Sequence, residues 1–131
     1  MLAGAGSLAA GAHDVAGVQV VAERVEGASG ADTRTLALDV RGRLPAGHAG
    51  AVVVIGTTGN GADTKVSVVA AVNDEARARG VSANALVGAL GPLVGGRGGG
   101  KDDVAQGGGS DASRIDEALA LVSAEVARVA G

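Results

Sequence analysis

The chain has 131 residues, which is enough for one domain with its own core. Its net charge of −3 argues against non-specific binding to phosphates, which relies on a basic surface. It contains no Cys, Phe, Trp or Tyr, which excludes disulfides, thiolate metal sites and aromatic platforms for stacked bases. Ala, Val and Leu must therefore form the core, and any nucleic-acid partner would have to be held by local cations and backbone N–H groups.

The N-terminal half predicts two strands around one helix. Residues 17–25 are rich in valine and predict a strand. Asp32 or Thr33 can cap a helix that ends before Pro45-Ala46-Gly47. The helical positions expected to face the core are Thr33, Ala37, Val40 and Leu44. Residues 51–55 are continuously apolar and predict a strand buried on both faces.

The middle of the chain predicts a hairpin followed by two helical segments. After a loop over residues 56–63, residues 65–72 form a second valine-rich strand, expected to pair with residues 51–55. Asn73 or Asp74 can cap a short helical turn that Gly80 closes. Ser82 predicts the start of a further helix, and Pro92 should kink or shorten it. Its apolar side comprises Leu86, Leu90 and Val94.

A last helix follows a glycine-rich segment. Ser113 and Asp116 are spaced like a capping box, and Gly131 is a candidate C-terminal cap. The predicted apolar stripe consists of Ile115, Leu119, Val122 and Val126. Strands that alternate with helices, together with one hairpin, predict an α/β fold: a single domain with a mixed β-sheet and helices packed on it.

Residues 95–109 are dominated by glycine and allow two interpretations from the residues alone. Gly95, Gly100 and Lys101 match half of a P-loop, but Asp102 occupies the position where Ser or Thr would hold magnesium. The segment also follows a helical pattern instead of a strand. The other interpretation is a loop that turns tightly between two helices, although the segment holds more glycine than a turn needs, which indicates a ligand or packing contact.

The order of residues in this segment resembles the signature of the DHH-associated domain that ends alanyl-tRNA synthetases. Arg97 and Lys101 occupy the two basic positions of that signature, Asp103 the acidic one, and Ala105-Gln106 its Ala-Gln pair. The departures are Asp102, Val104 and Gly107, where the family commonly has proline, methionine and alanine. The resemblance extends from about residue 15 to the end of the chain. Outside the glycine-rich segment, the stretches that match the family in order and spacing are 18–22, 52–55, 79–83 and 111–119.

The resemblance implies a domain without a catalytic centre, cofactor or metal, which grips the outer corner of tRNA and assists the aminoacylation and editing carried out by upstream domains. The expected partners are tRNA, specifically tRNA(Ala), and those upstream domains, in the cytoplasm and without a membrane. Residues 1–14 would be the remnant of a helical linker, and residues 15–131 the tRNA-binding domain. The residues expected to bind nucleic acid are Gly95, Gly96, Arg97, Gly98, Gly99, Gly100, Lys101, Gln106, Gly108 and Gly109.

The residue types in this segment independently favour a contact with nucleic acid. Successive backbone N–H groups can bind an anion, Arg97 offers a bidentate fork for phosphate, and Lys101 offers a point charge. Asp102 and Asp103 either oppose this charge or hold backbone N–H groups and orient Lys101. Additional phosphate contacts are predicted at Arg34, Arg41, Arg43 and Arg114, for which a solvated helix face is the alternative.

Two other functions remain open from the sequence. One is the nucleic-acid-binding domain of a DHH-family phosphoesterase, which is disfavoured because those domains usually carry a histidine after the glycines. The other is a protein-interaction or dimerisation module, which an acidic chain without aromatics would suit. His13 and His48 lie far apart in sequence and form no metal-binding motif.

Overall fold

A computed structural model describes residues 11–44, 47–59 and 63–130. It contains a six-stranded mixed sheet in the order β1-β2-β3-β4-β6-β5. The strands are β1 (His13–Val15), β2 (Val18–Glu26), β3 (Ala49–Thr58), β4 (Lys65–Val72), β5 (Arg97–Gly100) and β6 (Val104–Gly109). The helices are α1 (Gly30–Arg43), α2 (Asp74–Ala78), α3 (Ala83–Leu90) and α4 (Ile115–Ala130), and a 3₁₀ turn (Gly91–Val94) follows α3. The predicted α/β fold with a mixed sheet is confirmed.

The central strands form the core because their side chains are aliphatic on both faces. Residues 51–55 in β3 are fully buried, as predicted, and β4 pairs with β3 as the predicted antiparallel hairpin. β2 runs parallel to β3, and α1 forms the crossover that a parallel pair requires. All other neighbouring strands are antiparallel.

Helices cover the two faces of the sheet unequally. α1 packs on β3 and β4, where its predicted core positions Thr33, Ala37, Val40 and Leu44 are all buried. The opposite face carries α2, α3, the 3₁₀ turn and α4, over a larger aliphatic cluster that includes Ile55, Leu90 and Ile115. We call the face under α1 the α1 face.

The helix starts show where local hydrogen bonding modified the predicted boundaries. α1 begins before Asp32 and Thr33, because Ser29 is its cap and accepts a hydrogen bond from the Asp32 N–H at 3.2 Å. Asn73 and Ser82 cap α2 and α3 as predicted. Pro92 ends α3 and opens the 3₁₀ turn, because proline cannot supply the N–H that a continuing helix needs.

The predicted capping box of α4 is wrong. The Ser113 hydroxyl donates to the Asp111 carboxylate at 2.5 Å, and the backbone N–H of Ser113 donates to the same oxygen, so Ser113 closes a turn before the helix. These two bonds lower the pKa of Asp111. Along α4, Leu119 is only half-buried, and Ala118 takes its place in the buried stripe with Ile115, Val122 and Val126. The candidate cap Gly131 and part of the segment 45–47 lie outside the described residues.

Two strands were not predicted. Residues 95–109 form the β5–β6 hairpin instead of a loop between helices, because the pairing of these strands uses main-chain groups and needs no side-chain pattern. β1 overlaps the end of the segment 1–14 predicted as linker, and it pairs with β2 through a turn in which Ala16 and Gly17 both have positive φ. Residues 1–10 of that predicted linker lie outside the described part of the chain.

Candidate nucleic-acid interface

The glycine-rich segment forms one edge of the sheet. β6 pairs with β4 on one side and with β5 on the other, and β5 is the terminal strand. α3 packs against both strands on one face. On the α1 face, α1 lies over β3 and β4 and reaches only the near side of β6, where the Gln106 amide donates to the Gly30 carbonyl at 3.3 Å. The hairpin therefore projects past α1.

Alternate glycines in β5 and directly before it are required by the packing of the hairpin itself. A Cβ at Gly98 would overlap the Cα of Gly107, and one at Gly96 would overlap the carbonyl oxygen of Gly108. At Gly100, a Cβ would lie 2.8 Å from the Cα of Ala105. All of these obstacles are backbone or Cα atoms, which cannot move aside as a flexible side chain can. These glycines are therefore needed because they allow β5 to pack closely against β6.

Four glycines of the hairpin, including Gly98 and Gly100, also expose their backbone to solvent. Gly98, Gly99, Gly100 and Gly108 are exposed, and we call them the glycine surface. A Cβ at Gly99 would meet only the side-chain Oδ1 of Asn84, at 3.0 Å. Main chain without side chains allows a ligand to approach closely. Gly95 and Gly109, which are also predicted as contacts, have structural roles as well: Gly95 ends the 3₁₀ turn in a left-handed conformation, and a Cβ at Gly109 would overlap the Val94 carbonyl oxygen.

The turn between β5 and β6 is held by both of its aspartates. Asp102 accepts a hydrogen bond from the Ser82 hydroxyl at 3.0 Å, and its carbonyl accepts from the Ala83 N–H at 2.8 Å, which ties the turn to the start of α3. The Asp103 carboxylate accepts from the N–H of Val104 at 3.0 Å. The Asp102 carboxylate therefore ties the turn to α3, the Asp103 carboxylate stabilises the turn itself, and Lys101 extends from this turn as an exposed side chain.

The positive charges of the chain are distributed unevenly. Of the ten cationic side chains that the structure describes, five lie within 4.0 Å of a carboxylate: Arg24, Arg43, Arg77, Arg114 and Arg128. The other five form no ion pair with the described residues: Arg34, Arg41, Lys65, Arg79 and Lys101. Of these five cations without an ion pair, all except Arg79 lie next to the β5–β6 hairpin.

Arg34 and Arg41 form the side of α1 that faces the hairpin. Gly30 contacts Gln106 of β6, and the Arg41 guanidinium donates to the carbonyl of Asp103 at 3.4 Å. Arg34 lies four residues after Gly30 and seven before Arg41, so that it belongs to the same stripe of the helix. Its side chain is exposed. The predicted shared face of the two arginines therefore borders the β5–β6 hairpin.

Lys65 is a cation that the sequence analysis missed. It begins β4, and its neighbour Val66 pairs with Gly109 at the end of β6. Since Ser67 lies against Gly30 of α1 and side chains alternate along a strand, Lys65 is also on the α1 face. Lys101 and Lys65 consequently lie near opposite ends of the hairpin. No local motif marks Lys65, and only the strand register reveals its position.

Three predicted contact residues have partners within the domain. Arg43 is paired with Asp39 at 3.2 Å, and Arg114 with Glu117 at 2.9 Å, an interaction that raises the pKa of Arg114. Gln106 holds α1 on the sheet. The placement of Arg114 at the start of α4 is therefore balanced by Glu117 without a phosphate. Arg97 begins β5 opposite Gly108, at the edge of the glycine surface.

The geometry of the segment differs from that of a P-loop. In a P-loop the glycines join a strand to a helix whose N-terminus binds phosphate. Here a 3₁₀ turn precedes the glycines, and a strand follows Lys101. Within the described ranges, no cluster of three His, Cys, Asp or Glu side chains is arranged to hold a metal ion. None of the described helices is long and apolar enough to cross a membrane.

Comparison with known proteins assigns this arrangement to a family. The model of the DHHA1 domain matches residues 17–128. The chain belongs to the DHHA1 domain family. The DHH-associated family predicted from the glycine-rich segment is thereby confirmed.

Several relatives of this DHHA1 domain are alanine–tRNA ligases. It is 71% identical over 130 residues to alanine–tRNA ligase of Nocardioides sp. (strain ATCC BAA-499 / JS614), a match that covers 99% of this chain. It is 49% identical over 132 residues to alanine–tRNA ligase of Nocardia farcinica (strain IFM 10152), covering 100% of this chain. In both cases the chain spans 14% of the length of the relative.

Solved structures share the fold. The DHHA1 domain superimposes on the C-Ala domain from Aquifex aeolicus alanyl-tRNA synthetase with a TM-score of 0.70 and 26% identity, covering 92% of this chain and 98% of the other. A second solved structure, described as the DHH domain of a member of the s1p family of ribosomal proteins, matches with a TM-score of 0.62 and 13% identity. The match covers 97% of this chain and 30% of the chain in that structure. The second likeness concerns the fold alone.

Proposed function

We propose that this DHHA1 domain is the tRNA-binding C-terminal domain of an alanine–tRNA ligase. In this proposal it holds tRNA(Ala) for aminoacylation and editing by other domains of the enzyme and performs no catalysis itself. The similarity to alanine–tRNA ligases and to a C-Ala domain supports the choice of parent protein. The absence of a cofactor and the cytoplasmic location are parts of the same proposal.

The observation that carries tRNA binding is the contrast between two groups of cations. Away from the hairpin, every described arginine except Arg79 is paired with a neighbouring carboxylate, as in Arg24–Glu26 and Arg128–Glu125. Around the glycine surface, Arg34, Lys65 and Lys101 have no such partner among the described residues. An acidic protein can bind a polyanion if its positive charge is concentrated locally.

The glycine surface and the cations have complementary roles in this proposal. Exposed main chain allows a sugar-phosphate backbone to approach without steric hindrance, and the surrounding cations contact its phosphates. Arg34 and Arg41 form one side, Lys65 and Lys101 mark the ends, and Arg97 begins the edge strand. A hairpin of this length reaches about 20 Å, which corresponds to only a few consecutive phosphates.

We expect the isolated domain to bind tRNA weakly and with a marked dependence on salt. The slope of log affinity against log salt concentration should correspond to about two to four phosphate contacts, because each neutralised phosphate releases counterions. Fluorescence anisotropy of labelled tRNA, titrated at several salt concentrations, measures this slope. Affinity that does not respond to salt, or no binding even at low salt, would contradict the proposal and favour a protein partner.

A further inference from the structure

Asn84 lies beside the glycine surface, outside the set of residues that the family signature contains. It is the second residue of α3, and its side chain is exposed. Its Oδ1 atom accepts a hydrogen bond from the backbone N–H of Gly100 at 3.1 Å. The same oxygen is the atom nearest to the position that a side chain at Gly99 would occupy, at 3.0 Å.

The bonding pattern of β5 shows which backbone groups point away from the sheet. Lys101 donates its N–H to the Val104 carbonyl, so in an antiparallel pair the N–H groups of Gly96, Gly98 and Gly100 point outward. Gly96 donates to the Gly91 carbonyl at 3.0 Å, and Gly100 donates to Asn84. Among the described residues, the outward N–H of Gly98 has no assigned acceptor.

The bond to Gly100 fixes the orientation of the Asn84 amide. A backbone N–H can only donate, so the amide oxygen must face Gly100 and the NH₂ group must face away from it. No acceptor for this NH₂ group occurs among the described residues. The outer edge of β5 therefore presents two kinds of donor, the Asn84 Nδ2 and the Gly98 N–H, next to the cation of Lys101.

We propose that Asn84 contacts RNA directly, by donating a hydrogen bond from Nδ2 to a phosphate oxygen of the sugar-phosphate backbone that lies along β5. This inference rests on the proposed function and adds a contact residue to it. The first turn of α3 contributes a positive dipole at the same place, and the Ser82–Asp102 bond keeps the turn carrying Lys101 next to it. Asn84 thus has two roles, with its oxygen supporting β5 and its nitrogen binding the ligand.

The substitution Asn84→Asp separates these roles. An aspartate keeps an oxygen for the Gly100 N–H but removes the NH₂ donor and adds a negative charge. Ala85→Asp is the matched control, since Ala85 is the next exposed residue of the same helical turn and the variant has the same net charge. We expect Asn84→Asp to weaken tRNA binding about tenfold more than Ala85→Asp does, with both variants melting close to the wild type.

A second measurement avoids any effect of a variant on folding. The chain contains three Asn and two Gln residues, so the side-chain NH₂ signals in a ¹⁵N NMR spectrum are few. We expect the Asn84 NH₂ signals of the wild-type domain to shift when tRNA is added. Unchanged signals in a titration that shifts the glycine surface, or equal affinities of Asn84→Asp and Ala85→Asp, would overturn the role of Asn84. Failure of the wild-type domain to bind tRNA at all would instead overturn the proposed function.

Discussion

Gly98→Ala is expected to lower the free energy of unfolding by about 3 kcal/mol, the upper end of the range for overpacked positions. The new methyl group would overlap the Cα of Gly107 in the neighbouring strand. Neither strand can yield without breaking main-chain pairing, because β6 is also bonded to β4. Unfolding in urea, followed by circular dichroism, measures the change.

Gly99→Ala is the matched control for this prediction. It adds the same methyl group to the same strand one residue away, where the nearest atom is the end of the Asn84 side chain at 3.0 Å. Because that side chain can shift, the free energy of unfolding should fall by less than about 1 kcal/mol. Equal destabilisation by the two variants would show that glycine is needed along β5 for a reason other than close packing against β6.

Among alanine substitutions of the cationic residues, Arg97→Ala and Lys101→Ala are expected to weaken tRNA binding most. Each should weaken binding by several-fold at low salt and reduce the slope of log affinity against log salt by about one, because a phosphate contact is lost. Both residues border the glycine surface, and the Lys101 side chain has no ion pair with the described residues. Their melting temperatures should remain close to that of the wild type, because surface substitutions usually change stability by less than about 0.5 kcal/mol.

The control for this pair is Arg24→Ala. It changes the net charge by the same amount, but Arg24 lies on β2, which β3 and β4 separate from the hairpin, and it is paired with Glu26 at 3.7 Å. Its tRNA affinity should equal that of the wild type. If all three variants bind equally, the hairpin is not the binding site, and the arginines of α1 become the next candidates. If Lys101→Ala instead lowers the melting temperature and leaves tRNA affinity unchanged, the charge of Lys101 stabilises the folded domain and does not bind RNA.

The fold was predictable from the sequence wherever side chains determine the structure. Residues 51–55 are continuously apolar and form the buried strand, and Asn73 and Ser82 cap the helices that they were expected to cap. The hairpin of residues 95–109 was missed, because glycine carries no periodic pattern and the strands there form through backbone pairing and close packing. The capping box at Ser113 failed because Asp111 competes for its hydroxyl.

The candidate site was predictable only in part. The order of glycines and basic residues identified the segment, and helical spacing placed Arg34 and Arg41 on one stripe. Lys65 and Asn84 come to the same edge only through the register of β4 with β6 and the packing of α3 on β5. The sequence also allowed opposite roles for Asp102 and Asp103. The structure shows the Asp102 carboxylate bonded to the distant Ser82 hydroxyl and the Asp103 carboxylate bonded to the N–H of Val104 within the turn.

The most direct test is an NMR map of the tRNA-binding surface on the ¹⁵N-labelled domain. The backbone amide signals of Gly98, Gly99, Gly100, Lys101 and Gly108 should shift or broaden first as tRNA is added at low salt, and increasing salt should reverse the change. Signals of α4 and of the β1–β2 turn, away from the glycine surface, should stay in place. Changes confined to α4 or to β1 and β2, with an unaffected hairpin, would contradict the claim that the glycine surface binds tRNA.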